Sequence, residues 1–140
     1  MDPATRDALL QDLRRDEGVR LTPYKDSLGV WTVGVGHNLE HGPALSEAAV
    51  QQILRDDLAA TEAWLDLHLP WWLTLDPVRQ RALANMAFNL GPRLLQFHQT
   101  LTALQAHDFA TAAQGMRQSL WGTQVGARAD RLANLVEHGQ

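Results

Sequence analysis

Two acidic residues, Glu17 and Asp26, stand nine positions apart on either side of a change in pattern, and their surroundings differ in the way acid–base chemistry needs. Glu17 lies one helical period beyond Leu9 and Leu13, which predicts that its carboxylate shares their apolar face. It also closes its helix just before Gly18, where unsatisfied carbonyls disfavour a second negative charge. Burial and the helix end both favour the protonated form that a general acid requires. Asp26 falls in Tyr24-Lys25-Asp26-Ser27-Leu28-Gly29, a polar turn where an ionised carboxylate is at home. Each has an ordinary explanation taken alone: Glu17 as a solvated residue offset by Arg14, Arg15 or Arg20, and Asp26 as a turn former.

The strand after the turn narrows the choice. Along Val30 to His37, alternation puts Trp31, Val33 and Val35 on one face, expected to be the core face, and Thr32, Gly34 and Gly36 on the other. Interior glycines weaken a strand unless a ligand or another backbone must come close. The pattern therefore predicts a groove floor with Thr32 pointing into it, suited to a bulky polyhydroxylated chain such as a glycan. Glycoside hydrolysis needs a protonated carboxyl to donate to the leaving oxygen and an ionised one to direct water or attack carbon. An apolar-face Glu and a polar-turn Asp supply those two environments.

The elements that must position these residues are legible. Asp2-Pro3 reads as an N-cap with proline at the first helical position, opening a helix from about residue 3 to Glu17. Leu21 to His37 is the only strong hairpin signal. From Leu45-Ser46-Glu47, with Ser46 as cap, a helical stripe runs through Val50, Ile53, Leu54, Leu58 and Ala59 toward Trp64, and Pro70 ends that region. Asp76-Pro77 opens a central buried helix carrying Val78, Ala82, Leu83, Met86 and Leu90, stopped at Gly91-Pro92. Shorter helices are expected at about 100–106, 108–119 and 126–137, the first two capped by Thr100 and Asp108. The fold class is α+β and mostly helical: a small β-hairpin lobe at about 18–43 joined to a helical bundle at about 60–140 plus the N-terminal helix, all one domain over 1–140.

Bulk composition sets the outer limits. The 140 residues suffice for one cored domain without staples, and there is no cysteine for a disulfide or thiolate site. A formal charge of −4 disfavours nucleic-acid binding. No stretch approaches the roughly 20 apolar residues of a membrane span. The N-terminus lacks the basic-then-apolar order of a signal peptide, so synthesis in the cytoplasm is expected. Lys25 is the only lysine beside eleven arginines, a choice that favours planar bidentate contacts.

The run from Asp16 to His37, with Glu17-Gly18, Arg20-Leu21, Tyr24, Asp26 and Thr32-Val33-Gly34-Val35-Gly36-His37, strongly resembles the active-site stretch of the T-even phage lysozyme family, glycoside hydrolase family 24. That family shows E-G-x-R-L-x-x-Y-x-D, a turn, then T-[IV]-G-[IV]-G-H. Leu75 to Gly91 is similar to its central helix, and Trp121 with Arg128 and Arg131 to its C-terminal region. The resemblance implies a lysozyme-like fold and an endolysin-type muramidase cleaving the β-1,4 bond between N-acetylmuramic acid and N-acetylglucosamine in peptidoglycan. It implies Glu17 as general acid, Asp26 as second carboxylate and Thr32 as a residue that helps place the attacking water. Reaction by inversion would stand the carboxylates roughly 6.5–9.5 Å apart. Gly36, Asn38, Phe88, Asn89, Thr100, Gly115 and Trp121 match positions that line the family's cleft, although Gly115 offers no side chain. His37 and Asp57 resemble a structural ion pair, which would weaken as His37 loses its proton at higher pH or Asp57 gains one at lower pH. No metal or organic cofactor is implied. A holin for export to periplasmic peptidoglycan, a monomeric state and no stable membrane insertion are the expected setting.

Two departures stand out. Asn38 to Pro43 makes a short link after the hairpin, which predicts a reduced sugar-binding lobe. The acidic balance differs from the basic charge that draws many wall-lytic enzymes to anionic envelopes. Three other functions make different demands on these residues. An inactive glycan-binding relative need not keep Glu17, Asp26 and Thr32 together. A lytic transglycosylase can work with a single acid. A helical interaction module docking through the hairpin edge gains nothing from a two-glycine strand.

Overall fold

The computed structural model describes all 140 residues, which divide into two compact units, Met1–Glu47 and Ala48–Gln140. In the first, α1 (Pro3–Glu17) starts as expected: Asp2 Oδ1 accepts from Thr5 N at 3.0 Å and Oδ2 from Thr5 Oγ1 at 2.6 Å, with Pro3 in the first turn. It ends at Gly18, whose φ of +75° is open to glycine. The helix buries none of its residues. Leu9, Leu10 and Leu13 are exposed, as is Glu17, so the burial expected to favour the protonated acid is not present. With Arg6, Asp7, Asp12, Arg14, Arg15, Asp16 and Glu17 along it, the helix has too narrow an apolar stripe to bury by pattern alone.

The sheet has three antiparallel strands in the order β1 (Arg20–Lys25), β2 (Trp31–Gly34), β3 (His37–Asn38), where the sequence predicts a two-stranded hairpin. β1 pairs β2 through Arg20↔Gly34, Tyr24↔Thr32 and Lys25↔Trp31, and the ladder is irregular between Arg20 and Tyr24, where Pro23 has no N–H to give. β2 pairs β3 through Thr32↔Asn38 and Val33↔His37. The continuous alternation expected over 30–37 is broken: β2 stops at Gly34 (φ +68°) and the chain turns back through Gly36 (φ +70°). Both glycines answer to left-handed backbone, which revises their reading as a flat groove floor. The expected core face is also revised, since Trp31 is 45% exposed while Thr32, on the opposite face, is 4% exposed.

The second unit is helical: α2 (Glu47–His68), a 3-10 turn (Pro70–Thr74), α3 (Pro77–Leu90), a second 3-10 turn (Gly91–Gln96), α4 (His98–Gln105), α5 (Phe109–Gln118), α6 (Leu120–Val125) and α7 (Ala127–His138). The buried core lies here, centred on Leu65, Leu83, Met86, Leu104, Met116 and Leu132. α5 packs on α4 and α7, and α7 also on α3. Asp76 caps α3 as expected, its Oδ1 accepting from Val78 N (3.0 Å) and Arg79 N (3.2 Å). Arg79 binds Asp76 Oδ2 at 2.7 Å, donates to Val136 O at 2.6 Å and Glu137 O at 3.2 Å, and stacks 3.6 Å over the Phe109 ring. One guanidinium therefore ties the start of α3 to the end of α7. Thr100 is not a cap: α4 begins two residues earlier, at His98, and Thr100 is buried within it. The apolar stripe of α2 is real but its Val50, Ile53, Leu54 and Leu58 are 40–49% exposed, and only Leu65 of that helix is buried.

Candidate active site

Asp26 is fixed by the turn it makes. Its Oδ1 accepts hydrogen bonds from Leu28 N (2.8 Å) and Val30 N (2.9 Å). Its own N–H donates to Val30 O and its carbonyl accepts from Gly29 N, both at 3.0 Å. The side chain is half-buried and Oδ2 takes no part in these bonds. The turn therefore orients the carboxylate through one oxygen and leaves the other outside its hydrogen bonds.

Thr32 stands on the central strand between Tyr24 and Asn38. Val30, bonded to Asp26, is two residues before it, so alternation puts Asp26 and Thr32 on the same face. Thr32 is buried rather than open to a groove. Its Oγ1 donates to Val30 O at 3.0 Å, which spends its proton and leaves its lone pairs.

Glu17 comes to the far end of the same sheet. A β-carbon built on Gly36 would meet Glu17 Oε2 at 3.6 Å, so the carboxylate lies beside the one residue of that turn that carries no side chain. Arg15 is committed to Asp12 (3.0 Å) and Asp16 (2.9 Å), so that cation does not offset Glu17. The first unit thus brings Glu17, Gly36, Thr32 and Asp26 onto one small sheet and the helix end beside it. Asn38 is spent on the loop: its Oδ1 accepts from Glu40 N (2.9 Å) and His41 N (2.7 Å), leaving only its amide NH2 for a ligand.

In the helical unit, Phe88 is 41% exposed and borders a cavity of about 580 Å³ and a smaller one of about 210 Å³. Asn89 is exposed, and its Oδ1 accepts from Trp121 Nε1 at 2.7 Å. Trp121 itself is 5% exposed and meets Phe97 edge-on at 6.3 Å, so it is a core residue that orients Asn89. Thr100 and Gly115 line a third cavity of about 450 Å³ with Gln96, His98, Gln99 and Gln118. A β-carbon on Gly115 would come within 2.5 Å of Thr100 Oγ1, so the missing side chain there makes room for the threonine. His37 is half-buried opposite Val33 in β3, and Asp57 is exposed on α2, its carbonyl accepting from Thr61 Oγ1 at 2.9 Å.

One feature of the helical unit is less evident from sequence. Arg128 donates to Asn85 Oδ1 at 2.8 and 3.1 Å and lines the 580 Å³ cavity with Glu62 and Arg81. The available signal was Asn85, an amide inside the apolar run of α3 that needed a polar partner. The carboxyls clearly held below their ordinary range are helix caps. Asp2 is lowered chiefly by the Thr5 side chain, Asp76 by the Arg79 side chain and Asp108 by the Thr111 side chain.

The family model described as phage lysozyme matches residues 14–138. The chain belongs to the phage lysozyme family. As a member it is a lysozyme-type glycoside hydrolase of α+β fold, as the motif from Glu17 to His37 implies. Among curated relatives, the SAR-endolysin of Escherichia phage Mu is 32% identical over 91% of this chain and 73% of its own length. Probable T4-type lysozyme 1 of Dictyostelium discoideum is 24% identical over 91% of this chain and 92% of its own. The pre-baseplate central spike protein Gp5 of Enterobacteria phage T4 is 31% identical over 94% of this chain, which spans 28% of that protein's length.

Proposed function

We propose that this family member is an endolysin-type muramidase that hydrolyses the β-1,4 bond from N-acetylmuramic acid to N-acetylglucosamine in peptidoglycan by single displacement with inversion. Glu17 gives its proton to the glycosidic oxygen as the bond to the anomeric carbon breaks. A water attacks that carbon from the opposite face and passes a proton to Asp26, with Thr32 helping to place it. The carboxylates then need a separation of roughly 6.5–9.5 Å, enough for one sugar linkage and one water. The reading rests on one observation above all: the Glu17 carboxylate lies against Gly36, in one turn of the sheet whose other turn holds the Asp26 carboxylate by a single oxygen.

The remaining residues take supporting roles in this reading. Phe88 and Asn89 contact sugar, with Trp121 acting through its bond to Asn89. The amide-rich cavity around Thr100 suits N-acetyl groups, which offer both a donor and an acceptor. The setting is a monomer made in the host cytoplasm and released to periplasmic peptidoglycan with a holin. No helix is long and apolar enough to cross a membrane.

Turbidity of outer-membrane-permeabilised Gram-negative cells tests the assignment. Wild type should clear the suspension, while Glu17→Gln and Asp26→Asn should not. Clearing by Glu17→Gln at the wild-type rate, or none by wild type, would remove the assignment.

A further inference from the structure

The face of the sheet opposite Thr32 carries a row that the hydrolytic reading does not use. Lys25 and Trp31 are direct cross-strand partners, and Leu39 N donates to Trp31 O at 2.8 Å on the other side. Trp31 N–H also turns that way, to Glu40 Oε1 at 3.1 Å. Both backbone groups of Trp31 therefore point away from β1. Its pairing with Lys25 is the narrow, non-hydrogen-bonded kind in which side chains stand closest. Lys25 Nζ sits 5.4 Å from the centroid of the indole. All three side chains are exposed, Trp31 at 45% and Leu39 at 46%. Of the five tryptophans in the chain, Trp31 is the exposed one; the other four are buried or half-buried in the helical unit. Single exposed leucines are ordinary, but an indole held in place by a carboxylate on its backbone and framed by a cation and an apolar side chain is a prepared surface.

We infer that Lys25, Trp31 and Leu39 form a second, non-catalytic binding face for an acidic glycopeptide strand, with a sugar ring against the indole and a stem-peptide carboxylate at the Lys25 ammonium. The inference rests on the proposed peptidoglycan substrate. The row is too small for a second copy of the chain, since a stable interface buries about 800 Å² on each partner. It is also too poor in cations for an anionic bilayer, which attracts clusters of about four to eight basic residues, and the chain carries a net −4. An acidic sugar polymer needs only one ring and one cation. Because the net charge gives no general attraction to an anionic wall, a local contact of this kind supplies what charge does not. The row stands directly behind Thr32 on the same strand, so a network gripped here stays beside the proposed site.

Retention on purified insoluble peptidoglycan separates this face from catalysis when measured in Glu17→Gln, which binds without cutting. Adding Trp31→Ala should weaken retention by about tenfold or more, as for an aromatic anchor. Trp31→Phe should keep most of it. Lys25→Ala should weaken it several-fold at low salt and not at high salt. In the otherwise wild-type chain, Trp31→Ala should leave turnover of short soluble glycans unchanged. If Trp31→Ala fails to fold, 5-fluorotryptophan NMR of the parent carries the test: the Trp31 resonance, assigned by Trp31→Phe, should shift when disaccharide-peptide fragments are added. Undiminished retention in Trp31→Ala, or a Trp31 resonance that ignores the fragments, overturns the face. So does loss in the same variant of binding to anionic phospholipid vesicles or of self-association in place of wall retention. Cell lysis reports separately on the hydrolase: lysis with Trp31-independent retention sinks the face alone, and Trp31-dependent retention without lysis sinks the hydrolase alone.

Discussion

Asp26 makes a turn, and in the proposed mechanism the same side chain also serves the reaction. Asparagine keeps the Oδ1 acceptor that Leu28 and Val30 address, whereas alanine removes it. Asp26→Asn is therefore expected to keep the unfolding midpoint of wild type while lowering lysis by about 10²–10⁴-fold, the range for loss of a general base. Asp26→Ala should lose activity and also about 1–3 kcal/mol, because two backbone donors lose their partner. Urea unfolding beside turbidity assays checks both. Gly115 gives a second test. Alanine there crowds Thr100 Oγ1, and overpacking a site of this kind costs about 1–3 kcal/mol. Thr100→Ala in the same chain should recover much of that loss, a coupling visible in a double-mutant cycle. The proposed trio of Glu17, Asp26 and Thr32 was legible as a candidate in the sequence because the spacings form a dense motif. The sequence did not show that Gly34 and Gly36 turn the chain back, since a two-residue β3 leaves almost no periodic signal. Nor did it show that Trp121 points into the core, because its partner Asn89 is 32 residues away.

At the scale of elements, local caps were the readable part. Asp2-Pro3 and Asp76-Pro77 start helices where expected, and Gly18 and Gly91 end them, because each signal is written within a few residues. The start of α4 was misplaced because its cap position, Phe97, offers no side-chain hydrogen bond, and α6 is too short for a pattern of its own. Burial of the stripes on α1 and α2 depends on packing partners that periodicity cannot supply. The α3 cap gives a pH prediction. The Arg79 hydrogen bond holds the Asp76 carboxyl below its ordinary 3.8. A lowered folded value means that this stabilisation is complete above the unfolded value and is lost as pH falls through the lowered one. Asp76→Ala should therefore cost about 1–2 kcal/mol near neutral pH. The gap from wild type should shrink in acid, as read by thermal unfolding across pH. A constant gap down to strongly acidic pH would remove Asp76 as the titrating group.

Over the whole molecule, stability and proposed chemistry are unevenly spread. Every residue of the buried apolar core lies between Leu65 and Val136, while Thr32 is the one buried residue before Ala48. Amide protons of β1, β2 and β3 should exchange through low-energy local openings, and those of α3, α5 and α7 only with global unfolding. Native-state hydrogen exchange would show this as two sets of protection factors. The proposed catalytic face is held by turns, backbone bonds and glycines, and not by a core, so the proposed chemistry depends on the few contacts that fix Asp26 and set Glu17 beside Gly36. The most direct measurement is the nature of the new sugar ends released from purified peptidoglycan, identified by mass spectrometry for wild type and Glu17→Gln. Hydrolysis by this acid–base pair requires hydrated, reducing N-acetylmuramic acid ends from wild type and none from Glu17→Gln. Anhydro ends, lighter by one water, or equal release by Glu17→Gln would contradict it.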